Sequence, residues 1–288
     1  MPPARLTPIG LDALPPAEMA RKAEEVGVAK AGMDAVTTFV LAVLAGAFIA
    51  MGAVFAATTL AGGASLPYGV GRLLGGLTFS LGLILVVVAG AELFTGNNLI
   101  VMAWASRRVS TLRLLRNWAI VYAGNLAGAV ATALLLYAGE QYKLGGGAVG
   151  AQAVAIAAHK TGLGFGQALV LGAFCNALVC LAVWLSYSAR TSADKVLVII
   201  PPIAAFVAAG FEHSVANMFF VPYGLLVKSD SAFLASQTSL PDLAHLTWGR
   251  FLGQNLVPVT LGNIVGGAVM VGAVYWFVYL RPRRAAPA

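Results

Sequence analysis

Residues 91–98 read AELFTGNN in the middle of an otherwise apolar segment, and residues 211–218 read FEHSVANM in a second such segment. Each stretch carries ionisable side chains, Glu92 in the first and Glu212 with His213 in the second. An ionisable side chain at membrane depth costs about 3 kcal/mol or more, so it is retained mainly where it is paired or lines a path. The two stretches predict a membrane protein whose helices are interrupted at the place where a small polar or charged solute binds or passes.

The composition of the whole chain requires a bilayer as its solvent. Its 288 residues are 59% hydrophobic and only 10% charged, with a mean hydropathy of +0.85. A soluble domain of this size does not bury that much apolar surface. Cys175 and Cys180 fall within one apolar segment, which gives no disulfide framework. The three histidines are far apart and the sequence has no Cys/His metal spacing, so we predict no metal, no cofactor and no catalytic residue.

Six charge-poor segments predict an all-α membrane protein with six transmembrane helices. The segments are 35–71, 73–106, 117–139, 161–189, 196–227 and 251–280. A simple span needs about 20 residues, whereas the second and fifth segments are each about 30 residues long and interrupted by an acid. We therefore predict that these two helices are broken by short non-helical pieces, which are tolerated where they are buried in protein or line a cavity. The residues expected to support the breaks are Glu92, Gly96, Asn97, Glu212 and Asn217.

Basic residues predict the orientation of the chain. One set of alternate connections carries Arg5, Arg21, Lys22, Lys30, Arg107, Arg108, Arg113, Arg116, Arg190, Lys195, Arg281, Arg283 and Arg284. The other set carries only Arg72, Lys143, Lys160, Lys228 and Arg250. The positive-inside rule then places both termini in the cytoplasm, with the protein in a bacterial inner membrane. A basic rim facing anionic lipid accounts for the net charge of +7, and no nucleic-acid partner is predicted.

The same pattern divides the chain into three parts. Residues 1–34 form a cytoplasmic segment, 35–280 form the six-helix transmembrane domain, and 281–288 form a basic cytoplasmic tail. Within the first part, 15–30 predict a short amphipathic helix with proline in its first turn. This helix is expected to lie against the membrane interface, and a movable plug or gate is the alternative interpretation.

The two halves of the chain resemble each other. GNLAG at 124–128 follows the first broken segment, and GNIVG at 262–266 follows the second. Small residues at this spacing usually let helices pack closely, but here the motif recurs at the same place in each half. Because each half has three segments, the second half enters the membrane from the opposite side. The sequence therefore predicts an inverted repeat whose two breaks meet near the midplane, where solutes bind.

Five pieces of the sequence resemble the formate/nitrite transporter family. They are FSLGLILVVVAGAELFTGNNL at 79–99, GNLAGA at 124–129, CNALVCLAVWLSYSAR at 175–190, FVAAGFEHSVANMFFVP at 206–222 and PVTLGNIVGG at 258–267. The resemblance implies a six-helix, aquaporin-like protomer that assembles in the bilayer as a homopentamer with one substrate pore in each protomer. The N-terminal helix and GAELFTGNNL at 90–99 look closer to formate channels than to nitrite members of the family.

The resemblance also implies which polar residues line the pore. The central histidine of the family corresponds to His213, and the threonine that hydrogen-bonds to it corresponds to Thr95. Asn176 and Asn263 match asparagines that contribute polar contacts near the pore, and Lys160 resembles a vestibule lysine that attracts anions.

Apolar constrictions are implied in the same way. Those on the periplasmic side look like Phe79 and Phe206. Those towards the cytoplasm look like Leu83, Leu93, Phe94 and Val179. Such rings are expected to act as hydrophobic gates that exclude water and hydrated ions.

His213 can supply what a small anion needs in order to cross these constrictions. Loss of hydration without compensation would be prohibitive, and an imidazole that titrates near neutral pH can donate a hydrogen bond or a proton. A protonated His213 would bind the anion, and transfer of the proton would let a neutral acid pass. Glu92 and Glu212 would repel an anion, so we expect them instead to accept backbone N–H groups that the helix breaks leave free.

The predicted function is a passive or proton-linked channel for formate and similar small monovalent anions, without enzymatic activity. Other substrates stay open, because the same site would suit nitrite, hydrosulfide, acetate or lactate. A neutral-solute channel of the aquaporin type is an alternative from a different class, although the intramembrane His and Glu argue against it. A redox membrane subunit is a third possibility and would carry a coloured cofactor.

Overall fold

The computed structural model describes residues 12–62 and 66–282, and within these ranges the chain is helical and contains no strand. Arg5, Arg283 and Arg284, and with them most of the tail predicted at 281–288, lie outside the described residues. The helices are α1 (Pro16–Gly32), α2 (Ala35–Leu60), α3 (Tyr68–Ala89), α4 (Val101–Ala105), α5 (Thr111–Ala138), α6 (Ala148–Gly162), α7 (Phe165–Ser188), α8 (Ser192–Ala208), α9 (Ser214–Ser229), α10 (Ser231–Ser236) and α11 (Trp248–Tyr279). Shorter turns are the 3-10 helices Gly96–Ile100 and Gln141–Lys143 and, inside α11, the π-helical stretches Phe251–Leu256 and Val265–Ala273.

Five of the helices, α2, α3, α5, α7 and α11, are each long and apolar enough to cross a membrane. The predicted second segment overlaps α3 and contains α4, and the predicted fifth segment overlaps α8 and α9. α8 has 17 residues and α9 has 16, so neither reaches the length of a typical span by itself.

Two glycines end the helices that precede the non-helical pieces. Gly90 has φ of 83° and Gly210 has φ of 75°, the left-handed conformation that side-chain-bearing residues rarely adopt. After Gly90 the chain forms no helix until the 3-10 turn at Gly96, and after Gly210 it forms none until Ser214. Each piece is therefore a short irregular stretch between two helices, and most of its residues are buried.

Small residues let the helices of each half approach closely. A Cβ at Gly128 would collide with the carbonyl of Val43 on α2, and a Cβ at Gly266 would collide with the carbonyl of Ala173 on α7. The GNLAG motif thus packs α5 on α2, and the GNIVG motif packs α11 on α7 in the same manner. The buried core runs between these helix pairs and is rich in alanine, valine and phenylalanine.

Helix α1 packs on the protein through its apolar face. Met19, Ala20 and Ala23 are buried in one cluster with Leu99, Met102 and Trp184, and on its polar face Glu24 forms a 2.8 Å ion pair with Arg108. The helix that was expected at the membrane interface is therefore docked on the protein itself, beside the first non-helical piece.

We expect Gly128→Ala to lower the stability of the folded protein, because the added methyl group meets the α2 backbone. Overpacking of this kind costs about 1–3 kcal/mol. Gly69→Ala is the matched control, since a Cβ at that position in α3 has nothing within 4 Å and should leave stability unchanged or slightly higher. Thermal unfolding of the detergent-solubilised protein measures both, and equal midpoints for the two variants would contradict the close packing of α5 on α2.

Candidate functional site

Two cavities of similar size enter the protein from opposite ends of α2. The α1 cavity has a volume of about 410 Å³ and is lined by Lys22, Lys30 and Leu41 among others. The α6 cavity has a volume of about 420 Å³ and includes Ala56 and Lys160 in its lining. Leu41 and Ala56 are 15 residues apart on α2, which corresponds to about 22 Å along the helix axis.

A thin apolar layer separates the two cavities. Phe79 lines the α6 cavity and Leu83 lines the α1 cavity, yet they lie one turn apart on α3, or about 6 Å along its axis. Leu93 belongs to the α1 cavity and Phe206 to the α6 cavity. The rings of Phe79 and Phe206 meet edge to face with centroids 5.5 Å apart. All four side chains are buried, so the layer between the two cavities is apolar and closely packed.

His213 lies at the boundary of this layer and has a defined orientation. It is the N-cap of α9, where Nδ1 accepts a 3.0 Å hydrogen bond from the backbone N–H of Ala216. Its Nε2 lies 3.0 Å from Oγ1 of Thr95. Because Nδ1 is an acceptor, the neutral ring carries its proton on Nε2 and donates it to Thr95. The ring stacks on Phe206 and faces the α6 cavity.

Thr95 is held by two side chains of α7. Its backbone carbonyl accepts a 3.2 Å hydrogen bond from Nδ2 of Asn176 and a 3.3 Å contact from Sγ of Cys180, both on α7. The residue is fully buried. Its hydroxyl is therefore fixed beside the imidazole, and neither group is free to turn away without breaking a bond.

One asparagine braces each non-helical piece. Nδ2 of Asn125 donates to the carbonyls of Ala42 and Glu92, at 2.8 and 2.9 Å, and Oδ1 accepts the N–H of Phe94 at 2.9 Å. Asn263 repeats all three bonds. Its Nδ2 donates to the carbonyls of Gly172 and Glu212, at 2.8 and 3.0 Å, and its Oδ1 accepts the N–H of Ser214 at 2.9 Å. Asn263 is thus engaged with the backbone and lines neither of the two cavities.

Asn176 likewise lies behind the cavities and not in their lining. Its Nδ2 donates to the carbonyl of Asn263 at 2.7 Å and to Oδ1 of Asn98 at 2.8 Å, besides its bond to Thr95. The two asparagines that the resemblance assigned to the pore are therefore positioned to hold its walls.

A lysine–glutamate pair stands at each interruption, with a buried glutamate and a half-buried lysine. Lys30 and Glu92 are 2.6 Å apart, and Asn97 donates a 2.7 Å hydrogen bond to the other carboxylate oxygen. The second half has Lys160 and Glu212 at 2.8 Å, with Asn217 donating at 2.7 Å.

The expectation that these carboxylates accept backbone N–H groups is wrong. In the part of the chain that the structure describes, lysine ammonium and asparagine amide groups are their partners, because the side chains of Asn125 and Asn263 satisfy the freed backbone groups.

Several residues of this network escaped the sequence analysis. Asn117 accepts from Asn97 at 2.9 Å and donates to the carbonyl of Lys30, and Asn255 does the same for Asn217 and Lys160. The internal repeat of the sequence is the signal that could have identified these residues. Asn117 and Asn255 each lie eight residues before the asparagine of a GNxxG motif, and Lys30 and Lys160 each stand five residues before the first residue of a membrane-length helix, α2 or α7.

The two halves of the chain differ at the residue that follows each glutamate. Leu93 follows Glu92 and His213 follows Glu212, so a leucine in one half takes the place of the histidine in the other. Leu93 faces the α1 cavity and His213 faces the α6 cavity. Phe94 packs against Trp118 and Tyr122, and Val179 is buried in the same core, and neither lines a cavity.

Lys160→Ala should destabilise the folded protein strongly, because Glu212 would be left as a buried charge without its partner. Breaking a buried ion pair in this way costs about 3–5 kcal/mol. The double variant Lys160→Met with Glu212→Gln removes both charges and should recover most of the loss. Lys143→Ala is the control, since Lys143 and Glu140 form an exposed pair worth about 0–1 kcal/mol. If the double variant is no more stable than Lys160→Ala, the loss of stability does not come from an unpaired charge at Glu212.

The two cavities enter from opposite ends of α2 and are separated by one helical turn and by the hydrogen-bonded pair of His213 and Thr95. This arrangement defines the class of the protein, which is a helical membrane channel or transporter. The sequence model of the formate/nitrite transporter family matches residues 17–277. The formate channel FocA of Escherichia coli strain K12 is 46% identical over 273 residues, which are 94% of this chain and 96% of that protein. FocA of Haemophilus influenzae strain Rd is 42% identical over 263 residues, covering 90% of this chain and 93% of that protein.

A solved structure described as a pentameric formate channel with formate bound is similar as well. It superposes with a TM-score of 0.81 at 48% identity and covers 86% of this chain and 98% of that chain. The chain therefore belongs to the formate/nitrite transporter family. Membership in this family and an all-helical membrane fold, both predicted from the sequence, are confirmed.

Proposed function

We propose that this protein is a channel for formate and similar small monovalent anions, with one path through each protomer. The observation that carries the proposal is the single helical turn between Phe79 and Leu83, which separates two cavities that enter from opposite ends of α2. Similarity to formate channels and to a structure with formate bound supports formate as the substrate.

Along this path, hydrogen-bond donors fixed in the protein replace the water molecules that hydrate the anion. An anion in the α6 cavity meets Lys160, Arg72 and the face of His213. In the neutral ring, the Nε2–H that bonds to Thr95 is the donor that an arriving carboxylate would take over. When Nδ1 releases the Ala216 amide and takes a proton from the solvent of the α6 cavity, the imidazolium can pass its Nε2 proton to the carboxylate. The products are neutral formic acid and a neutral imidazole protonated on Nδ1, so the acid crosses the apolar layer uncharged.

The apolar residues then act as the barrier on either side. Phe79 and Phe206 close the α6 cavity, and Leu83 and Leu93 close the α1 cavity. Phe94 and Val179 back this layer from the core. Movement of one or two of these side chains would join the cavities, because the layer is only about one turn thick.

We further propose that the chain spans the membrane six times as an aquaporin-like inverted repeat. In this arrangement α3 with α4 forms the second, broken segment and α8 with α9 forms the fifth. The matching hydrogen bonds of Asn125 and Asn263 support the repeat. The pentamer of the similar solved structure supports a homopentamer, in which the exposed apolar residues of the protomer face lipid or neighbouring copies.

The basic connections support an orientation with the α1 cavity towards the cytoplasm of a bacterial inner membrane. Arg107, Arg108, Arg113 and Arg116 all lie near the loop between α4 and α5, on the same side as α1. Both termini are then cytoplasmic. Residues 1–34 contribute α1 to the wall of the cytoplasmic cavity, and 35–280 form the channel domain. Glu92, Gly96, Asn97, Glu212 and Asn217 support the interruptions, now together with Asn176 and Asn263.

Cysteine labelling tests the orientation and the separation of the cavities. Val26 lines the α1 cavity and Gln152 the α6 cavity, and both side chains are half-buried. A membrane-impermeant thiol reagent should modify Val26→Cys only from the cytoplasmic side and Gln152→Cys only from the periplasmic side. The parent, whose Cys175 and Cys180 are buried, gives the background. Labelling of both variants from one side would exclude opposed cavities, and a reversed pattern would exclude the orientation.

Formate flux in proteoliposomes across pH tests the role of His213. His213→Phe should lower formate flux about tenfold or more and remove its pH dependence, since a hydrogen bond to a charged group is worth about 1.5–3 kcal/mol. His159→Phe is the matched control, because His159 is an exposed histidine of the same cavity and should leave flux unchanged. An unaltered pH dependence in His213→Phe would rule out its proposed role.

The same vesicles discriminate between substrates. Faster flux of nitrite than of formate would favour a nitrite channel, and osmotic swelling with a neutral solute such as glycerol would favour an aquaporin-type function.

A further inference from the structure

The α1 cavity contains more positive charge than its buried ion pair neutralises. Lys22, Lys30 and Lys195 all line it, and Glu92 is the one carboxylate among its described lining residues. Lys30 is paired with Glu92. Lys22 and Lys195 take part in none of the ion pairs found among the described residues.

These two lysines stand together although their charges repel. Lys22 on α1 donates a 3.2 Å hydrogen bond to the carbonyl of Tyr187, near the end of α7, and Lys195 lies in the first turns of α8. Burial, together with the positive charges of Lys195 and Arg190, lowers the pKa of Lys22. Asp194, the acid next to Lys195 in the sequence, is engaged as the capping-box residue of α8 through the N–H groups of Thr191 and Arg190.

Lys22 also lies apart from the pair at the inner end of the cavity. It is eight residues from Lys30 on α1, about 12 Å along the helix axis, whereas Lys30 contacts Glu92 and Asn97 at the interruption. The α6 cavity has one such cation. Lys160 is bound to Glu212, whereas Arg72 takes part in none of the ion pairs found among the described residues and donates, as Lys22 does, to backbone carbonyls, those of Val207 and Ala208 at the end of α8. The α1 cavity thus has two ammonium groups without an acidic partner, and the α6 cavity has one guanidinium group.

We propose that Lys22 and Lys195 form an anion site at the outer part of the α1 cavity, which binds a small carboxylate before it reaches the apolar layer. This inference rests on the proposed function and adds to it a capture step on the cytoplasmic side. A bound carboxylate offsets the repulsion between the two ammonium groups, and a cleft lined by one sign of charge raises the local concentration of the oppositely charged solute. The Lys30–Glu92 pair, which is neutral overall, then lets the anion move inward.

The test measures formate flux in each direction separately, with proteoliposomes in which formate is supplied on one side only. Lys22→Gln with Lys195→Gln should raise the half-saturating formate concentration for flux from the cytoplasmic side, about threefold to tenfold at low ionic strength. The maximal flux, and the half-saturating concentration from the periplasmic side, should stay the same. Lys22→Arg with Lys195→Arg should restore the parent value, and Lys143→Gln, at an exposed pair outside both cavities, should have no effect.

Other outcomes would overturn the site. Equal changes from both sides, or no change, would show that the two lysines do not capture the anion. A fall in maximal flux that arginine does not restore would show that they only anchor α1.

A second measurement separates this inference from the proposed function. Acylation of Lys22 and Lys195 in the full-length protein is followed by peptide mass spectrometry, and formate should protect both lysines whereas glycerol should not. If the parent carries no formate flux, the proposed function fails, yet protection still supports the site. Absence of protection overturns the site whatever the flux.

Discussion

Backbone groups freed inside a bilayer must find partners within the protein, because no water is present there to bind them. Asn125 and Asn263 meet this requirement, each with a single carboxamide that joins the non-helical piece to a neighbouring helix. The side-chain amide of Asn125 reaches its partners only if α5 lies close to α2, and that of Asn263 only if α11 lies close to α7. The glycines of the GNxxG motifs permit this approach. Glycine and asparagine in these motifs therefore serve one purpose, which is to make an interrupted helix tolerable at membrane depth.

The chemistry of the site depends on that arrangement. Since the asparagines satisfy the backbone, the carboxylates of Glu92 and Glu212 are left to pair with lysines, and the charge at each interruption is balanced. His213 then stands in a nearly neutral, apolar setting beside Thr95, facing one cavity. The barrier between the cavities is about one helical turn thick, which is why we propose that small side-chain movements open it. Leu93 at the equivalent place makes the two cavities differ in chemistry, although Asn125 and Asn263 form matching hydrogen bonds.

Much of the fold could be predicted from the sequence, because its signals are local. Apolar length and charge punctuation indicated the spans, Glu92 and Glu212 marked the interruptions, and the two GNxxG motifs indicated the repeat. The resemblance to a family supplied His213 with Thr95. The partners of the glutamates could not be predicted, because Lys30 is 62 residues from Glu92 and Lys160 is 52 residues from Glu212. Asn176 and Asn263 could be assigned to the region of the pore, but whether they face it depends on helix rotation.

The sequence by itself therefore determined that this is a helical membrane protein, and it predicted two interruptions, a repeated architecture and one histidine at membrane depth. Hydropathy and the cost of burying charge in a bilayer lead to these predictions residue by residue. Only the tertiary structure decided which groups satisfy the interruptions, that α1 forms a cavity wall, and that Lys22 and Lys195 share that cavity while its one described carboxylate, Glu92, is paired with Lys30. Those properties arise from contacts between helices that are distant in the chain, and their geometry is set by how closely glycine-bearing surfaces pack.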